Sequence, residues 1–268
     1  MTAIIKTEFQ KMKRYHILLI ALIGMFCSPL LQLFSQFAMN DALKDPYYDL
    51  AALLESTIWG NAQIFLPVMI TLTGGYLINR EYTDDTLKNI LTVPVSFHIF
   101  LWGKLLTSGI LAVGFGIYSF FAAIIVGFFA GLPKAGFSVL TGYFFQMAGL
   151  SVCIYIVVLP LLIIDSRKKG RFMGGAVAAF LVGYACLFFK TGILRSVYPV
   201  SAALTVVGFD MAEYTGTASQ GNRVLAVLVL GIILLVSVML VWFCKPPQEG
   251  TKHKIRGRRG KQLRVSQR

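Results

Sequence analysis

Charge is what this sequence has least of. Only 14% of residues are Asp, Glu, Lys or Arg, against 56% apolar or aromatic, and the mean hydropathy is +0.71. A water-facing globular surface needs about 25% charged residues. An ordinary soluble enzyme or DNA-binding domain is therefore excluded, and the bilayer has to be the solvent. Cysteine is scarce too. Cys27, Cys153, Cys186 and Cys244 each lie in an apolar run and none belongs to a CxxC pair, which argues against a disulfide framework or a zinc site. Histidine is limited to His16, His98 and His253, with no HExxH pair, so an intramembrane metalloprotease has no ligand set. No GxxxxGK[ST] loop occurs: 257–261 reads GRRGK and Gln262 follows. No catalytic residue, metal or cofactor is expected in this chain, and ATP-driven work would need ATP and Mg held by a partner subunit.

What is abundant is long apolar runs. A transmembrane helix needs about 20 mostly apolar residues, and six stretches qualify: 17–39, 56–78, 105–132, 137–164, 172–189 and 224–244. The first is too long for a signal-peptide core and reads as a retained span. Pro160 is expected to kink or end the fourth near its last turn. No Asp, Glu, Lys or Arg falls in the middle of a span, which disfavours proton- or ion-coupled transport. The net charge of +13 would suggest nucleic acid in a soluble protein. Here its distribution marks sidedness instead. With the N-terminus inside, the cytoplasmic segments hold 20 of the 25 Lys and Arg, while acids divide evenly, as the positive-inside rule requires. Both termini are then cytoplasmic, and no nucleic-acid partner is expected. Within the outer segment 190–223, the apolar stretch 196–209 is too short to cross and is broken by Pro199. It reads as a re-entrant or interfacial helix, with an ordered loop as the alternative.

Small and polar residues inside the spans are informative by position. Gly175, Ala179 and Gly183 recur at i, i+4 and i+8, as do Ala123, Gly127 and Gly131; such stripes let helices approach closely in lipid. Gln32 and Gln36 share a face with Ser28 in the outer half of the first span. Asn61 and Gln63 lie in the outer turns of the second, and Gln146 in the outer half of the fourth. These amides either hydrogen-bond between helices or line an outward-opening vestibule that receives an amphiphilic substrate.

The most patterned stretch follows the second span and reads Asn79-Arg-Glu-Tyr-Thr-Asp-Asp-Thr-Leu-Lys-Asn-Ile-Leu-Thr-Val-Pro94. Thr83 or Asp84 suits a helix N-cap, and Asp84 and Asp85 suit its positive dipole end. Leu87, Ile90 and Leu91 then form one apolar face, and Pro94 ends the turn. The expected product is a short cytoplasmic helix lying parallel to the membrane.

This arrangement resembles the type-2 ABC exporter permeases, particularly the small six-span permeases of bacterial peptide-antibiotic immunity, the lantibiotic and bacitracin kind. Glu81, Thr86, Leu87, Leu91, Pro94, Ser96 and Lys104 match that family's first cytoplasmic loop. Related permeases often have Gly before the Thr and Arg after Pro-x-Ser; here Asp85 and Phe97-His98 stand there. The resemblance implies an all-α membrane protein whose coupling helix, with Glu81, Asp84, Asp85, Thr86, Leu87, Ile90, Leu91 and Pro94, docks into a separate ATPase subunit. It also implies a second permease copy or a similar permease, and an amphiphilic peptide as cargo. Without the resemblance, the Leu face would simply rest on lipid.

The N-terminus fits an amphipathic interfacial helix with Ile5, Phe9, Met12 and His16 on one face. The chain then divides into one transmembrane domain, 1–244, and a basic tail, 245–268, expected to bind anionic inner-leaflet lipid. A non-transporting scaffold or sensor subunit is the main alternative; a secondary transporter is the weaker one.

Overall fold

The computed structural model describes residues 2–12, 16–39, 47–83, 97–167, 170–189, 192–216 and 221–244. Helix α1 is Thr2–Met12, α2 is His16–Ala38 and α3 is Leu50–Gly60. A π-helical turn, Asn61–Phe65, joins α3 to α4, Leu66–Thr83. Then come α5, Phe97–Phe129, and α6, Phe137–Asp165. Helix α7, Phe172–Tyr184, tightens into a 3-10 turn at Ala185–Phe188. Two short helices, α8 at Gly192–Val197 and α9 at Pro199–Val206, precede the single turn α10, Ala212–Thr215, and the last long helix, α11, Arg223–Trp242. No strand occurs among the described residues.

Five helices are long and apolar enough to cross a bilayer: α2, the continuous Leu50–Glu81 unit, α5, α6 and α11. The apolar helix Phe172–Phe188, including its closing 3-10 turn, is shorter. Several boundaries differ from the sequence-based expectations. The second helix starts at Leu50 rather than 56, since Asp49 caps it by accepting the Ala52 N–H at 2.9 Å. The third starts at Phe97 rather than 105. At 33 residues it is about 50 Å long, well beyond a hydrocarbon core of about 30 Å, so its first turns lie outside that core. Pro160 does not end the fourth helix, which continues to Asp165.

Outward faces are strongly apolar, as lipid demands. Phe34 of α2, Phe128 and Phe129 of α5, and Leu235 and Trp242 of α11 are all exposed. Between helices, where lipid supplies no hydrophobic drive, close approach holds the bundle. The α7 stripe does this: Gly175, Ala179 and Gly183 are all buried. A Cβ on Gly183 would sit 1.9 Å from the Gln63 carbonyl oxygen, and one on Gly175 1.5 Å from Asp165 Oδ2. Of the α5 stripe, Ala123 and Gly127 are buried in the helix. Gly131 lies beyond the helix in a turn with φ 70°, a left-handed conformation that suits glycine.

Gly183→Ala should destabilise the fold by about 1–3 kcal/mol, because backbone rather than a flexible side chain blocks the methyl. Gly174→Ala, with nothing within 4 Å, should leave stability unchanged or slightly raised. Thermal unfolding of the purified proteins in detergent separates the two.

Candidate functional site

The loop 84–96, which carries Asp84, Asp85, Thr86, Leu87, Ile90, Leu91 and Pro94, lies outside the described residues. Its two roots are described, and they are locked together. Glu81 lies in the last turn of α4 and Lys104 two turns into α5. Lys104 is 1% exposed, and a buried ammonium has to fill its hydrogen bonds. It donates to Glu81 Oε1, to Glu8 Oε2 and to the Leu77 carbonyl, each at 2.9 Å. Lys104 Nζ also stands 5.4 Å from the centre of the Phe100 ring, within cation–π range.

Glu8 comes from α1. It is 3% exposed, and with Lys11 it closes a four-membered charge ring. Lys11 Nζ donates to Glu81 Oε1 at 2.9 Å and pairs with Glu8 Oε1 at 3.5 Å. Burial pulls the Lys11 ammonium down, but the Glu81 hydrogen bond and the charges of Glu8 and Glu81 outweigh it, leaving its pKa raised. A raised lysine pKa stabilises the fold below the ordinary lysine range and is lost only as pH rises through the raised value. Two cations and two anions thus hold α1, α4 and α5 at one end of the bundle. Asn79 Oδ1 adds a fourth segment by accepting the Gly170 N–H at 2.6 Å.

The N-terminal helix therefore differs from the simple amphipathic expectation. Met12 is buried, but Phe9 is partly exposed and His16 opens the next helix, exposed. The buried face is organised around Glu8, which sequence reasoning did not single out. Its signal was available: Glu8 is the only acid in residues 1–40. At the positions where related permeases often carry Arg, Phe97 is buried in an apolar cluster. His98 Nδ1–H donates to the Val241 carbonyl at 2.9 Å, tying α5 to α11.

The five amides of the expected vestibule occupy three places in the single chain. Gln32 and Gln36 line a cavity of about 530 Å³ with Tyr48, Asp49, Glu55 and Tyr214. Gln146 lines a second, of about 740 Å³, walled by α6 and the end of α9, and its amide donates to the Val207 carbonyl at 3.3 Å. Asn61 and Gln63 sit on the π turn inside the bundle, 1% and 6% exposed. Asn61 Nδ2 donates to Ser119 Oγ at 2.7 Å, the interhelical alternative. Among the described residues, Asn61 Oδ1 and Gln63 Nε2 have no hydrogen-bond partner.

Removing Lys104 while keeping its partners leaves two buried carboxylates and should cost about 3–5 kcal/mol. Lys104→Met should therefore lower the melting temperature sharply, and Glu8→Gln on that background should recover part of the loss. Lys11 is 43% exposed, so Lys11→Met should cost no more than about 1 kcal/mol. Melting curves of the four proteins in one detergent test the ranking.

The family model described as ABC-2 family transporter protein matches residues 4–186, a stretch that contains all four residues of the charge ring and the loop between its roots. The bacitracin transport permease protein BCRB of Bacillus licheniformis is 28% identical over 161 residues. That alignment covers 58% of this chain and 66% of the relative, just under two thirds of its length. No solved structure matches the chain. With its long apolar helices and a family match over most of its length, the chain belongs to the ABC-2 family of transporter proteins, as a multi-pass protein of the bacterial plasma membrane.

Proposed function

We propose that this chain is the permease subunit of an ATP-driven exporter that moves an amphiphilic peptide, in the manner of peptide-antibiotic self-protection. A separate ABC subunit binds ATP and Mg, and two copies of this chain, or one with a similar permease, build the path. The chain has six spans with both termini inside: α2, Leu50–Glu81, α5, α6, Phe172–Phe188 and α11. Residues 1–244 are the permease domain, and the basic tail 245–268 rests on anionic lipid of the inner leaflet. The segment 196–209 enters from the outer face and returns. Support for that comes from α9, where Val200 through Thr205 are buried against the bundle.

The observation that carries the reading is the charge ring at the roots of 84–96. A coupling helix transmits force only if its connections to the spans are stiff. The ring joins Glu81 at one root to Lys104 at the other and ties both to α1. A push by the ATPase on Leu87, Ile90 and Leu91 would then move α1, α4 and α5 as one body. The substrate path in this reading includes the cavities beside Gln32 and Gln36 and beside Gln146, together with Asn61 and Gln63 on the π turn. Amides at that depth would hold the polar backbone of an amphiphile whose side chains face lipid.

Affinity purification of the tagged chain from native membranes in mild detergent tests this. A Walker-motif ATPase should co-purify with the native protein and be lost from a Leu87→Asp/Leu91→Asp variant of equal abundance. If no ATPase accompanies the native protein under conditions that keep known membrane complexes intact, the scaffold reading replaces this one.

A further inference from the structure

Pro67 stands two residues after the π turn Asn61–Phe65, inside the continuous Leu50–Glu81 unit. Proline has no N–H, and its ring crowds the carbonyl four residues back. Here that carbonyl belongs to Gln63, so the regular helical bond between 63 and 67 cannot form. The turn above it widens instead: the Leu66 N–H reaches back five residues to the Asn61 carbonyl. Local π winding of this kind is how a span tolerates an interior proline in lipid. The Gln63 carbonyl lies against the backbone of Gly183, where a Cβ would overlap it. Bare glycine backbone therefore leaves the turn without a side chain wedged against it.

The two halves joined by this turn are held differently. Below it, α4 is fixed by Glu81 in the charge ring and by Gly75, which lies against Phe172 of α7. The turn itself is pinned to α5, because Asn61 Nδ2 donates to Ser119 Oγ at 2.7 Å. Above it, α3 meets α2 closely at Gly60, where the Gln32 amide occupies the place a Cβ would take. Toward the outer end the two helices part. Gln36 from α2 and Ala52 and Glu55 from α3 then line the cavity of about 530 Å³.

From these features we infer that the π turn is a hinge on which α3 swings against α2, widening and narrowing the cavity beside Gln32 and Gln36. A hinge needs a few residues that absorb a backbone change between rigid flanks. Pro67 provides them by removing the bond that would stiffen the turn. Asn61 Oδ1 and Gln63 Nε2 have no partner among the described residues, so rewinding the turn breaks no bond at either atom. Gly60 is the pivot, since bare backbone lets the Gln32 amide slide across it. That the cavity holds cargo rests on the transport reading above; the hinge does not.

The test uses the full chain in lipid nanodiscs, without any ATPase or cargo, so its outcome is independent of the co-purification result. Hydrogen–deuterium exchange read by mass spectrometry reports on the turn. Amides of 61–66 should exchange about ten-fold faster than those of 68–78 in α4, and Pro67→Ala, which restores the missing donor, should remove that difference. The swing is read from spin-label distances between Phe37→Cys on α2 and Tyr47→Cys before α3, both exposed positions, with the four native cysteines replaced by alanine. The chain with Pro67 should show more than one distance, and Pro67→Ala a single one. Gly60→Ala, which pushes the Gln32 amide aside and keeps the proline, should shift the distances outward, and it decides the matter if Pro67→Ala fails to fold. Equal protection of 61–66 and α4, or distances unchanged by either substitution, overturns the inference.

Discussion

A lysine ammonium removed from water must find anions and hydrogen-bond acceptors close by, or the fold that buries it will not persist. In this protein the ammonium of Lys104 meets that requirement with carboxylates from two other helices and one backbone carbonyl. Much else follows from that. The N-terminal helix cannot drift in the headgroup layer, because Glu8 is one of the two carboxylates. The end of α4 cannot splay from the start of α5, because Glu81 is the other. Lys11 then closes the ring from the more exposed side, so that each carboxylate is shared by two cations.

The rest of the bundle is held by a different principle. Helices in lipid gain nothing from hiding leucine from leucine, so contact depends on how nearly backbones can meet. Helix α7 meets the π turn at Gly183 and α6 at Gly175, while Gly75 of α4 lies against Phe172. At the π turn the Asn61 side chain bonds across to α5, and the Gln63 backbone carbonyl lies against Gly183. A single irregular turn thus serves close packing on one side and polar contact on the other. Such turns are frequent at functional positions in helices.

Charged side chains gather in two regions of the described structure. One has a balanced ring that is internally satisfied and acts as a brace. The other has Arg195, Arg223 and Asp210 among the described residues lining a polar cavity. The aromatic stack of Trp59, Phe209 and Tyr214 joins the second of these regions to α3.

The solvent of this protein was decided by composition alone, since a chain with so few charges has nothing to cover a wet surface. The apolar runs followed, because a span must satisfy its backbone internally over a set length, and that constraint is local. The α7 stripe was legible for the same reason: small residues four apart share a face whatever they touch. The residues of the loop roots were visible through family resemblance, as Glu81 and Lys104. What only the tertiary structure decided was how charges and amides are partnered. Glu8 stands 96 residues from Lys104, and nothing periodic in the chain records that meeting. Nor does spacing show that Gln32 and Gln146 line separate cavities, or that Arg195 and Arg223 face one. Helical periodicity places a side chain on a face, but the choice of neighbour is made by packing between segments distant in sequence, which local pattern does not encode.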